Sequence, residues 1–229
     1  MTDYQQKVIF QKDVEMEIRI AEAEKRDVNF SNRTIQEINL SEKDIKCGFD
    51  FRNSIFLGSV YFSKSKIQGD LIVDNAIINN TFYLGEIELK GNFSASKISV
   101  KNSFNLIKST VEGDIDLERA RIQGFLSLNN ARVKGNANLK LMNVNSLETS
   151  GGIVSGDVFM QNSSFEKNLD MEYSLISGLV DLERANIWGY LNLSNVKIKE
   201  ILVTRDCYVE GDSIYEGMEC EKRIESLAP

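Results

Sequence analysis

Glycine recurs in this chain with a fixed period. Gly58, Gly69, Gly91, Gly113, Gly124 and Gly135 are spaced by eleven residues or by twice eleven, and Gly178, Gly189 and Gly211 continue the phase after one missing residue, with Gly156 between. The unit is small-x-apolar-x-Gly-x-apolar-x-apolar-x-x, clearest in Ala120 to Asn130 (ARIQGFLSLNN), Ser174 to Arg184 (SLISGLVDLER) and Ala185 to Asn195 (ANIWGYLNLSN). Weaker copies reach from about Ile35 to about Gly217. A fixed period over most of a chain means stacked units, each burying its apolar face against the next.

Within a unit apolar and polar residues alternate: Ala120, Ile122, Leu126 and Leu128 against Arg121, Gln123, Ser127 and Asn129. Period two is a strand with one buried face. Each run lasts two to four residues before a Gly or an Asn-rich pair, and both residue types tolerate positive φ, so sharp corners are expected there. The sequence predicts a parallel β-helix, whose coils hydrogen-bond to one another and whose side chains stack in ladders. A helical reading fails because one Gly per unit would cost about 1 kcal/mol each. Leucine-rich repeats are longer, with a different Leu pattern.

The corner residues of alternate units set the coil size. One series reads Cys47, Gly69, Gly91, Gly113, Gly135, Gly156, Gly178, Glu200; the other reads Gln36, Gly58, Asn80, Asn102, Gly124, Ser146, Lys167, Gly189, Gly211. The first is nearly all Gly, with Gly69, Gly91, Gly113, Gly135, Gly156 and Gly178 as structural corners, and the second is mixed. Shortened spacings at Ile35 to Ile38 and Val144 to Leu147 fall in the second. The structural repeat is therefore two units: a four-sided coil of about 22 residues. From about Val28 to Gly217 this gives roughly eight coils and, at about 4.8 Å per strand spacing, a rod of about 40 Å.

The triplets Ala120-Arg121-Ile122 and Ala131-Arg132-Val133 resemble the centre of a pentapeptide repeat, and the chain is similar to pentapeptide-repeat proteins and, more loosely, to bactofilins. The resemblance implies an all-β, right-handed parallel β-helix. Its unit has eleven residues where two pentapeptides have ten.

Both ends of such a rod need covering. Residues 1–27 are expected to form an N-terminal cap segment, with 28–217 the β-helix and 218–229 a C-terminal capping segment. In Lys12 to Asp27, Val14, Met16, Ile18 and Ile20 suit a strand, whereas Val14, Ile18 and Ala21 suit a helix; composition favours the helix. Met218, Ile224 and Leu227 suggest a short helix over Tyr215 to Leu227.

Composition bears on function. There is no His, which removes Ser-His-Asp and Cys-His catalysis and His-ligated metal or haem. The net charge of -7 argues against direct nucleic-acid binding. Cys47, Cys207 and Cys220 are too widely spaced for a disulfide framework or CxxC site. No apolar run approaches the roughly 20 residues of a membrane span, and the N-terminus does not read as a secretory signal; a cytoplasmic protein is expected. P-loop, GxGxxG and GxSxG motifs are absent, and no cofactor is expected.

Three constellations remain. Asp70, Asn92, Asp114, Asn136 and Asp157 follow the strict corner and form an outward ladder, read as turn residues rather than as a cation site. DLERA occurs at Asp116 to Ala120 and again at Asp181 to Ala185; its duplication favours surface ion pairs over an acid pair for glycoside chemistry. Large apolar groups fall at outward positions, with Tyr61 and Tyr83 expected to stack, Ile55, Leu57 and Ile77 near them, and Phe125, Trp188 and Tyr190 further along. The expected function is a non-catalytic scaffold or protein-interaction module, as a homo-oligomer or with a protein partner. The alternatives are an acidic DNA mimic acting on a topoisomerase-like enzyme, which the resemblance suggests, and a carbohydrate-active enzyme on a β-helix.

Overall fold

The computed structural model describes residues 8–225. Residues 1–7 and 226–229, and the parts of the terminal segments they carry, lie outside the described residues. The chain is a right-handed parallel β-solenoid of about nine turns with a spacing of about 22 residues. Most turns give two short strands to each of two sheets, and in a few, as at Arg121–Ser127 and Lys197–Val203, the two on one face merge into one. Ile55–Phe56 and Val60–Tyr61 belong to a 16-stranded sheet, and Lys66–Ile67 and Leu71–Ile72 to a 17-stranded one. Every strand pairing is parallel to the equivalent strand of the next turn, as in Ile55↔Ile77 and Val60↔Phe82.

The register confirms the shortened spacings. Ile122 pairs with Val144, but Phe125 pairs with Ser146, so one residue is lost at that corner. A further loss, not foreseen, lies between the Ile198↔Cys220 and Ile201↔Lys222 pairs. The solenoid continues into this last turn, which makes about nine turns where the sequence suggested eight. The helix expected over Tyr215 to Leu227 does not form within the described residues: Ser213–Ile214 and Glu219–Ile224 are strands. Met218 and Ile224 stand six residues apart, which fits the strand period and not one helical face, and the paired edge of Lys197–Val203 supplies a template for the strand.

The N-terminal cap is a helix, Gln11–Glu24, with Val14, Ile18 and Ala21 buried on the core. Asp13 accepts the Phe10 N–H at 3.0 Å, and Lys25 ends the helix in the left-handed conformation. The Gln11 amide bridges the Asn39 backbone, donating to its C=O and accepting from its N–H, both at 2.8 Å. Glu22 accepts the Lys46 N–H at 2.8 Å. These bonds fix the helix over the end of the rod and satisfy edge groups that would otherwise recruit another strand.

The sharp turns are not at the glycine corners. A left-handed residue recurs every eleven positions, at Asn53, Lys64, Asn75, Glu86, Lys97, Lys108, Arg119 and Asn130, with φ between 54° and 61°. Gly151 and Gly217 share this role with φ of 67°; the corner glycines have no positive φ. Glycine is needed at the strict corner because successive coils touch there. A Cβ on Gly135 or Gly178 would stand 2.8 Å from the carbonyl oxygen of Gly113 or Gly156.

The core is filled by side-chain ladders. Phe49, Phe51, Phe56, Phe62, Phe82, Phe93 and Phe104 are buried in the N-terminal half, with Phe82 stacked on Phe104 at 4.8 Å. Further along, Leu, Ile, Val, Met and Ala predominate, with Phe165 still buried among them. There, on either side of the shortened turn, Ala131, Ala137, Leu139, Val158 and Met160 help line a cavity of about 30 Å³.

Candidate functional site

The Asp/Asn ladder is structural. Asp70 Oδ1 accepts the Asn92 N–H at 2.7 Å, Asn92 Oδ1 accepts from Asp114 at 2.9 Å, and Asp114 Oδ1 from Asn136 at 2.7 Å. Asn136 serves Asp157 at 2.8 Å, and Asp157 serves Leu179 at 3.0 Å. Each side-chain oxygen also fills the space that a Cβ would need on the glycine above it. Ladder and strict glycine are one device. It stops at Leu179, which offers no oxygen, and the next corner residue is Glu200. At the more tolerant corner, Asn168 likewise lies beneath Gly189, and its Oδ1 accepts the Tyr190 N–H at 3.1 Å. No group of three or more Asp, Glu, Cys or His that could hold a metal occurs among the described residues.

DLERA is also turn chemistry. Asp116 Oδ1 accepts the Glu118 N–H at 3.0 Å and Asp181 Oδ1 accepts from Glu183 at 2.9 Å. Arg119 and Arg184 take the left-handed position, with φ of 58° and 55°. Burial pushes the Asp116 carboxyl above its ordinary range, with repulsion from Glu118 and Asp74 adding to it. On the 17-stranded face, exposed charges alternate in sign from coil to coil. Glu88 pairs with Lys66 at 3.1 Å, and Glu112 pairs with Lys90 and Lys134 at 3.1 and 2.9 Å.

Cys47 and Cys207 are poor nucleophiles. Burial raises Cys47 to about 11, helped by the charges of Glu22 and Asp27, and burial alone raises Cys207 to about 11.

The outward apolar groups gather on the 16-stranded sheet in two separate patches. Toward the N-terminal end, Tyr61 and Tyr83 stack at 4.8 Å with ring planes 4° apart and are half-buried by each other. Ile55 and Ile77 lie side by side in register, and they and Leu57 stay exposed; the N-terminal helix covers the end of the rod, not this face. Toward the C-terminal end, Trp188 and Tyr190 flank the Gly189 corner, both exposed. Phe125 occupies the same ladder as Tyr190 but three coils earlier, with Ser146 and Asn168 between. Sequence reasoning missed Tyr208. It is exposed, and its ring meets Trp188 edge-on at 5.5 Å. The signal was its position 22 residues beyond outward Asn186.

This architecture places the chain among parallel β-solenoids. No family model matches it, and comparison with curated proteins finds no relative. No helix among the described residues is long and apolar enough to cross a membrane.

Proposed function

We propose that this protein is a non-catalytic scaffold of the pentapeptide-repeat-like kind, acting in the cytoplasm. Its 16-stranded face binds a protein, either a partner or a second copy of the chain. The observation that carries this reading is the exposed pair Ile55 and Ile77 with Leu57, on a face whose other ladders are mostly polar. A rigid sheet bearing an apolar patch loses little conformational freedom on docking, so burial of that patch goes largely into affinity. The alternating charges of the 17-stranded face give no support to a phosphate-like surface there.

Light scattering on the size-exclusion peak, with a native pull-down, tests the proposal. The expected result is a mass above the monomer or a retained protein, lost in an Ile55→Ser/Ile77→Ser variant of unchanged fold. A variant indistinguishable from the parent overturns it.

A further inference from the structure

The second patch has a chemistry that the first lacks. Trp188 stands in a ladder between two acids: the pairings Phe165↔Ile187 and Ile187↔Val209 place Glu166 one coil before it and Glu210 one coil after. Leu191↔Ser213 likewise places Asp212 one coil after Tyr190. All three carboxylates are exposed, and none makes an ion pair among the described residues. The local cation is exposed Lys167, at the corner beneath Gly189. Other carboxylates act on the ring beside it: the Tyr190 hydroxyl is held above its ordinary range, first by burial and then by Asp170 and Glu148.

An aromatic face attracts cations through its quadrupole, and carboxylates at its margins supply the second contact a bound cation needs. Guanidinium suits such a site better than ammonium, because it stacks flat on a ring while donating hydrogen bonds at its edge. We propose that the corner formed by Trp188, Tyr190 and Tyr208 docks an arginine-bearing basic segment of a partner protein. A guanidinium stacks on an exposed ring and pairs with Glu166, Glu210 or Asp212. This rests on the reading of the chain as an interaction module, but it uses a patch separate from Ile55 and Ile77.

Trp188 is the chain's one tryptophan, so its emission reports on this corner alone. The probe is a blocked Gly-Arg-Gly-Arg-Gly peptide, with Gly-Glu-Gly-Glu-Gly as its control. The arginine peptide is expected to shift or quench the emission saturably, and about 0.5 M salt to weaken binding by screening. Glu166→Gln/Glu210→Gln, substitutions at exposed sites, should weaken it about tenfold, and Tyr208→Ser about fivefold. An unchanged emission, an equal response to the acidic peptide, or full affinity in the double Gln variant overturns the proposal. The Ile55→Ser/Ile77→Ser variant should bind the peptide normally. If the peptide fails while the Ile55 and Ile77 patch still holds its protein, only the present assignment falls; if both fail, the interaction reading falls with it.

Discussion

Oδ1 of Asp70 accepts the Asn92 N–H at 2.7 Å and fills the space that a Cβ on Gly91 would occupy. One oxygen thereby ties two coils together and dictates the residue beside it. The same interlock repeats at Asn92 with Gly113, Asp114 with Gly135, Asn136 with Gly156 and Asp157 with Gly178.

Glycine substitution should separate close approach from chain flexibility. Gly135→Ala sets a methyl against the Gly113 carbonyl and Asp114, whereas Gly85→Ala meets only ordinary contacts at 3.4 Å and beyond. The expected loss for Gly135→Ala is about 2 kcal/mol, by the cost of overpacking. Gly85→Ala should gain up to about 0.5 kcal/mol through the unfolded state. Denaturant titration of both variants checks the contrast; equal effects would remove the interlock.

The ladder should need an acceptor and not a charge. Asn92 and Asn136 already do the work of Asp70 and Asp114. Asp114→Asn should stay within about 0.5 kcal/mol of the parent, while Asp114→Ala should cost about 1 kcal/mol for the lost hydrogen bond to Asn136. Added calcium should leave the melting temperature unchanged, since a structural hydrogen-bond ladder requires no ion.

Much of this fold was legible because the repeat period is written by residues that each coil needs. The spacing of Gly69, Gly91 and Gly113 gave the coil length, and the Ile122 and Leu126 alternation gave the buried face. The reason for the glycines was not legible: positive φ and close approach both select Gly, and only the packed neighbour tells them apart. The end segments were ambiguous for a different reason. Val14, Ile18 and Ala21 offer a helical stripe while Val14, Met16, Ile18 and Ile20 offer a strand, and the open end of the rod decided between them. At the other end, the paired edge of Lys197–Val203 decided for a strand. Outward aromatics followed directly from period two, yet Tyr208 escaped notice because its coil lies nearest the C-terminal end.

The left-handed corner carries removable strain. Leu141 and Tyr173 hold φ of 57° with exposed side chains, at a position where Asn53, Asn75, Asn130, Asn162 and Asn195 sit at the same φ. A branched or bulky side chain is costly there, whereas Asn is tolerant. Leu141→Asn and Tyr173→Asn should each raise stability by about 0.5–1 kcal/mol, read as a higher denaturation midpoint with an unchanged slope.

Asp116 gives a pH signature. Its carboxyl is raised in the folded protein by burial, then by Glu118 and Asp74, so the folded state holds the proton more tightly than the unfolded chain. This group favours folding when protonated, and that contribution is lost as pH rises from the ordinary carboxylate value through the raised one. Asp116→Asn keeps an oxygen for the Glu118 N–H and removes the half-buried charge. The variant should be the more stable at pH 7 and match the parent below pH about 3.5, under the ordinary Asp value. Melting curves at the two pH values test it.

The cavity beside Ala137 marks where the ladder is underfilled. Ala137 lies in register between Ile115 and Val158, both inward and both larger. The backbone therefore already accommodates a branched side chain one coil away in either direction, and the missing volume opens onto the void of about 30 Å³. Ala137→Val should fill part of it and stabilise by about 0.5–1 kcal/mol. Leu139→Ala, on the same cavity wall, should enlarge it and cost about 3 kcal/mol. Chemical denaturation of the two variants should move in opposite directions; destabilisation by Ala137→Val would mean that the shortened coil has closed around alanine.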